Sequence, residues 1–253
     1  AKRPASILGN RMVLTAKEIG GETVVITFYT HPRQVLNIDS SNRRFINTQE
    51  EKLKHLEKIG IDNVIVVNFT KEFSRVSSES FISDYIVKHI APIKLVIGYD
   101  HHFGKNRMGD FNLLHDMKNK YGFELQRIDA QDVENIAVSS TKIRHSLNQG
   151  DVVRANALLG YQFAYIGKVI SGNKIGREIG YPTANLSINK EYRLIETPGV
   201  YASYVDYDNK TYKSMTYIGG KPTINDDNSE NIEVHVFEID QDIYDKDIKV
   251  RIV

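Results

Sequence analysis

A chain of 253 residues, 41% hydrophobic and 26% charged, is longer than one typical domain and about right for two, each with apolar mass for a core. Thirty-three Lys and Arg against 32 Asp and Glu leave a net charge of +1, which argues against the global basic field that nucleic-acid polymers or anionic membranes call for. An anionic ligand has to be held by local groups. With no cysteine, disulfides, thiolate metal sites and a Cys nucleophile are excluded. No apolar run approaches the ~18 residues of a membrane helix, and no signal segment opens the chain, so the expectation is a soluble cytoplasmic protein.

In chain order, Ser6-Ile-Leu-Gly-Asn10 reads as a strand joined directly to a helix at Arg11-Met-Val-Leu14, with no loop between them. Thr23–Phe28, Val64–Phe69 and Leu95–Gly98 are β-branched, nearly continuous apolar runs, as in strands buried on both faces. Thr48-Gln-Glu-Glu51 is a capping box, after which Leu53, Leu56 and Ile59 line one helical face up to Gly60. Ser78 with Glu79 opens another helix, with Phe81, Ile82, Tyr85 and Ile86 at helical spacing. Phe111 to Lys120 forms a third, and a strand follows at Phe123 to Arg127. This alternation predicts an α/β domain, a parallel sheet with helices on both faces.

Two short helices, Thr141–Leu147 and Asp151–Leu159, come next, and then the pattern changes. Phe163–Ile170, Tyr201–Tyr207, Tyr212–Ile218, Ile232–Phe237 and Ile248–Val253 are short strands divided by Gly, Pro, Asn and Asp. They predict a β domain, an antiparallel barrel or sandwich, with the boundary near Gly160 separating residues 1–160 from 161–253.

Ligands of doubly wound sheets sit beyond the C-terminal ends of the strands, where two polar loops fall: Phe28-Tyr-Thr-His-Pro-Arg33 and Gly98 to Asp110. The second holds His101, His102, Lys105, Arg107 and three glycines, ingredients for wrapping an anionic nucleotide, although a solvated charged loop has the same composition. Adjacent His101 and His102 without a third ligand at suitable spacing make a poor metal site. Val138-Ser-Ser-Thr-Lys-Ile-Arg144 reads as a helix N-terminus suited to phosphate, or as an ordinary cap. In Ser171 to Asn185, glycines recur at 172, 176 and 180 before Tyr181-Pro-Thr-Ala-Asn185, where a hydroxyl and an amide oxygen suit Mg²⁺. Glu233 and His235 share one face of a later strand, opposite Ile232, Val234 and Val236.

Together these runs carry a resemblance to prokaryotic bifunctional FAD synthases. Ser139-Ser-Thr-Lys-Ile-Arg144 resembles the ISSTxxR-type motif of nucleotidyltransferases, and Gly98-Tyr-Asp-His-His-Phe-Gly104 the G-x-D-x-x-F-G loop of the FMN adenylyltransferase module. Phe28 to Arg33 is similar to the F-x-P-x-P-R stretch, with Thr30 in place of the more usual Pro. The G-x-x-x-G-x-x-x-G-x-P-T-A-N run, Pro198 to Ala202, Tyr217 to Thr223 and Ile232-Glu-Val-His235 resemble riboflavin kinases. One departure is marked. The family's G-x-F-D-G-x-H-x-G-H segment has no counterpart, because Asn10 and Arg11, which would flank it, are adjacent.

The resemblance implies a Rossmann-like nucleotidyltransferase domain over 1–160 and a riboflavin kinase β-barrel over 161–253. It implies Glu233 as general base on the riboflavin 5′-hydroxyl, and Gly172, Lys174, Gly176, Gly180, Thr183 and Asn185 around ATP, with Thr183 and Asn185 on Mg²⁺. For the adenylyl transfer it implies Ser140, Thr141 and Arg144 near the ATP phosphates, and Asp100, His102 and Phe103 near nucleotide and flavin. Riboflavin, FMN, FAD and ATP are then substrates and products, with neither nucleic acid nor membrane as partner and the oligomeric state open. A kinase with an inactive first domain and a non-catalytic flavin- or nucleotide-binding regulator are the alternatives.

Overall fold

A computed structural model describes residues 4–29, 35–36, 45–98, 101–128, 140–171, 182–189, 195, 197–220, 230–239 and 242–253. They divide into two compact units, one of residues 2–42 and 49–137, the other built mainly from 43–48 and 138–253. Among the described residues no helix is long and apolar enough to cross a membrane.

The first unit begins with helix α1 (Pro4–Ile19), where a strand was expected at Ser6–Asn10. With no loop between Asn10 and Arg11 to turn the chain, the residues before Arg11 continue the helix that follows. Strands β1 (Val24–Tyr29) and β2 (Asn63–Asn68) pair in parallel around helix α2 (Gln49–Ile59). Strands β3 (Lys94–Gly98) and β4 (Glu124–Ile128) pair in parallel around helix α4 (Phe111–Tyr121), which Asp110 caps. Among the described residues the parallel architecture is therefore present as two two-stranded sheets. Residues of both sheets, Ile26, Leu95, Ile97 and Leu125, pack on one cluster of Ile82, Ile86, Leu114 and Phe123.

Between β2 and β3 runs a helical stretch, α3, made of Ser78–Ser80, a π-helical Phe81–Val87 and Lys88–Ile90. Ser77 starts it by accepting from the Ser80 N–H at 3.0 Å. The widened turns leave Ile82 and Ile86 in the core while Phe81 and Tyr85 stack on each other at 6.1 Å. Such π segments are rare and recur at functional sites.

In the second unit, β5 (Ala164–Ile170), β6 (Ala184–Ser187), β7 (Gly199–Tyr207), β8 (Lys210–Gly220), β9 (Glu230–Val236) and β10 (Asp247–Ile252) close an antiparallel barrel in the order β10-β5-β6-β9-β8-β7. This decides between barrel and sandwich. Side chains alternate with the pleat, so Val169, Val205, Ile218, Val234 and Val250 fill the interior, each at most 1% exposed. Helices α5 (Ser140–Asn148) and α6 (Val152–Leu159) belong to the same core through Ile143, Leu147, Val152, Ala155 and Leu159. Asn156 ties α6 to the barrel, donating to the Ile252 carbonyl at 2.9 Å and accepting from the Phe163 N–H at 2.7 Å.

Where β10 meets β7, Arg251 forks onto both oxygens of Asp206 at 2.8 Å and reaches Gln162 at 2.6 Å. Burial opposes the charge on Asp206, but Arg251 and the Thr211 hydroxyl outweigh it and hold the carboxyl below its usual range. A carboxyl lowered in the folded state stabilises fully above its unfolded value and loses that stabilisation as pH falls through the folded one. The pair is partly open to solvent, so Asp206→Asn is expected to cost ~1 kcal/mol at neutral pH, about 3–5 °C in Tm. Thermal melts at pH 7 and pH 3 check it: the difference between variant and parent should shrink at the lower pH.

Candidate active sites

Register in the barrel builds the first site. Ile170 pairs with Asn185, Asn185 with Glu233, Glu233 with Tyr217, and Tyr217 with Val200, so five strands contribute one transverse row on the outer face. Directly paired side chains lie on the same face, with strands about 4.8 Å apart. In this row Ile170, Tyr217 and Val200 are exposed, Glu233 is half-buried and Asn185 is 8% exposed. Thr183 joins them from the start of β6, its Oγ1–H donating to Glu233 Oε2 at 3.2 Å. A donated hydroxyl proton leaves the oxygen lone pairs of Thr183 available to a cation.

His235, two residues along the same face, lies with Nδ1 2.8 Å from the Pro182 carbonyl oxygen. A carbonyl only accepts, so Nδ1 carries the proton and pins the backbone just before Thr183. The structure thus brings together Thr183, Asn185 and Glu233 as the sequence expects. Gly172, Lys174, Gly176 and Gly180 lie outside the described residues. No cluster of three His, Cys, Asp or Glu able to hold a metal occurs among the described residues. Hydroxyl, amide and carboxylate oxygens side by side fit a cation that shares its coordination with nucleotide phosphates rather than one caged by protein alone.

In the first unit, the loop after β3 folds back on itself: Phe103 and Gly109 exchange backbone hydrogen bonds at 3.0 and 2.9 Å. Gly104 sits at φ +71° against Ser78, whose Cα a methyl group there would meet at 2.6 Å, so this turn needs glycine. Lys105 donates from its backbone to the Val76 carbonyl at 2.9 Å and fastens the loop to the start of α3. His102 is exposed and Phe103 half-buried, while Asp100 lies outside the described residues.

A set of aromatic rings that periodicity alone assigned to separate elements proves contiguous. Phe28 at the end of β1 touches Phe69 and Phe73 at 5.3 and 5.9 Å, and Phe73 touches Phe81 and Tyr85 at 6.1 and 5.3 Å. Phe81 reaches Phe103 at 5.9 Å, and Phe103 stacks with His101 at 6.1 Å. These rings start from the C-terminal end of β1, the side on which parallel sheets bind ligands. A cleft of about 400 Å³ lined by Arg11, Glu18, Lys94 and Glu124 lies instead at the strands' N-terminal ends and contains no expected site residue.

Ser140, Thr141 and Lys142 are exposed in the first turn of α5, and Arg144 is half-buried one turn along. They belong to the unit that contains the barrel, whereas His102 and Phe103 belong to the other.

Comparison with known proteins matches the two parts of the chain to two families. Residues 7–142 match the model of the FAD synthetase family, and residues 159–253 that of riboflavin kinase. A bifunctional riboflavin kinase/FMN adenylyltransferase of Listeria monocytogenes is 35% identical over 96% of this chain and 78% of its own. The chain belongs to that bifunctional family. Its Bacillus subtilis member has the same identity and coverage, and the Escherichia coli K12 member is 33% identical over 90% of this chain and 72% of its own. A crystal structure described as a macrolide-efflux protein from Streptococcus pneumoniae superposes with a TM-score of 0.82 at 25% identity, over 98% of this chain and 80% of that one. That likeness concerns the fold, and efflux is a description of that protein.

Proposed function

We propose that this chain makes FAD from riboflavin in two ATP-dependent transfers, with residues 161–253 as the kinase and residues 1–160 as the FMN adenylyltransferase. The observation that carries the first step is the Thr183, Asn185 and Glu233 group on the outer row of the barrel. Glu233 takes the proton of the riboflavin 5′-hydroxyl as that oxygen attacks the γ-phosphorus of ATP in line and ADP leaves. Thr183 Oγ1 and the Asn185 amide oxygen would hold Mg²⁺, which when bound offsets charge on the phosphates. His235 positions Thr183 through the Pro182 carbonyl, and exposed Tyr217 and Val200 offer the flavin ring an apolar support. Gly172, Lys174, Gly176 and Gly180 would surround the ATP phosphates.

In the second transfer a phosphate oxygen of FMN attacks the α-phosphorus of a second ATP and pyrophosphate leaves, so no covalent enzyme intermediate is required. Ser140, Thr141 and Arg144 would face the ATP phosphates, with the positive end of α5 behind them. Asp100, His102 and Phe103 would border the nucleotide and flavin, and the rings from Phe28 to Phe103 suit a planar apolar ligand. Riboflavin, FMN and ATP are the partners of this reading, and the cytoplasm its setting.

A kinase-only enzyme is the second reading, favoured by the unbroken α1 across Asn10 and Arg11, which leaves no loop after the first segment. Incubation with riboflavin, ATP and Mg²⁺ followed by product separation tests both. FMN with FAD is the expected result, FMN alone supports the kinase-only reading, and neither product overturns both.

A further inference from the structure

Lys52, in the first turn of α2, is half-buried, and its Nζ donates to Thr27 Oγ1 on β1 at 2.6 Å. It forms no ion pair with a carboxylate among the described residues, whereas Lys54 on the same helix pairs in solvent with Glu50 at 2.6 Å. Burial pushes the Lys52 ammonium below the usual lysine range. A cation kept partly out of water beside a neutral hydroxyl costs stability unless a negative group meets it.

Its position in the sheet says where that group would come from. Past Gly60, α2 leads to the start of β2, where Asp62 accepts from the backbone and hydroxyl of Thr23 at 2.8 and 2.7 Å. The Asn63 N–H also donates to the Thr23 carbonyl at 3.0 Å. The far end of α2 is thus fixed at the beginning of β1, and its first turn lies toward the strand's end, with Thr27 two residues before Tyr29. Because β1 and β2 are parallel, this is the ligand-binding edge. The next residue, Phe28, opens the chain of rings on the opposite face of the strand.

We propose that Lys52 is a polyphosphate-binding residue of the adenylyltransferase half, its ammonium aimed by Thr27 at the phosphate chain of ATP or at the departing pyrophosphate. The assignment rests on the adenylyltransferase reading for its substrate, while the site itself is testable without turnover. Inorganic pyrophosphate is titrated calorimetrically into the parent protein, Lys52→Met and Lys52→Arg, with kinase turnover and Tm measured on the same preparations.

Lys52→Met is expected to weaken pyrophosphate binding ~10–100-fold, the range of a lost charged hydrogen bond, and Lys52→Arg to keep most of it. Kinase turnover should not change, and Tm should hold or rise because the unmatched charge is gone. Equal pyrophosphate affinity in Lys52→Met overturns the proposal, as does a parent protein that binds no pyrophosphate. A fall in Tm with loss of kinase turnover also overturns it, since a purely structural lysine would behave so. Lys52-dependent binding in a protein that forms no FAD from FMN keeps the anion site and removes the adenylyltransferase reading. Should Lys52→Met fail to fold, Lys52→Gln, which keeps a donor for Thr27, replaces it.

Discussion

Riboflavin phosphorylation is expected to fall ~10²–10⁴-fold in Glu233→Gln, the range general-base assistance supplies. The substitution keeps size and keeps an oxygen that accepts from Thr183 Oγ1, so the row from Ile170 to Val200 should stand. What is lost is the ability to take a proton. Stopped assays with riboflavin, ATP and Mg²⁺ measure the loss, and the same preparation supplied with FMN measures the second transfer, which should be unchanged. A kinase rate within about threefold of the parent would remove Glu233 from the role of base, since even the low end of that range is ~10². A drop in Tm would point to a structural role for the carboxylate.

For the second transfer the largest expected effect comes from Arg144→Ala. Donors that meet charge developing at a reaction centre are commonly worth ~10²–10³-fold, and on the proposed reading the Arg144 guanidinium would be such a donor to the ATP phosphates. FAD formation from FMN and ATP should fall by about that factor, with Arg144→Lys intermediate because it keeps charge and loses the fork. The kinase provides an internal control. Helix α5 is anchored through Ile143 and Leu147, 7% and 0% exposed, and Arg144 flanks that buried stripe half-buried. If the variant slowed both reactions equally, α5 would have been unseated, and Arg144 would be a structural residue.

Much of the architecture was legible because it rests on local patterns. Strands such as Val24–Tyr29 and Asn63–Asn68 are β-branched runs, and α4 and α6 end on left-handed Gly122 and Gly160, which the chain supplies at the right places. Strand β6 was harder. Ala184–Ser187 has four residues, among them an asparagine that disfavours strands, and it exists because β5 and β9 pair with it on both sides. The π segment escaped for a different reason. Spacing predicts a face for Ile82 and Ile86, but carries no mark of the widened turns, where Phe81 and Tyr85 meet Phe73 from the segment after β2.

The sites divide the same way. The closeness of Thr183, Asn185 and Glu233 was readable because short motifs set these residues on strands whose facing follows from alternation. The aromatic chain was not, because its rings come from β1, the segment after β2, α3 and the loop after β3, and each looks locally like core. Lys52 had no signal of its own. One residue past Glu51 of a capping box, it reads as a solvated lysine until Thr27 is found beside it.

The seating of α5 and α6 on the barrel core has a practical meaning for anyone dividing this protein. Composition changes near Gly160, whereas packing divides near Val138. What the chain presents between those two points looks like a connector and serves as part of the barrel's core. A fragment begun at Tyr161 would take Ile143, Leu147, Val152, Ala155 and Leu159 out of the shared core, and would leave the Ile252 carbonyl and the Phe163 N–H without Asn156. Grafting the kinase into another protein, or shuffling it between relatives, therefore requires the two helices to travel with it, and with them the Ser140-Thr141 turn.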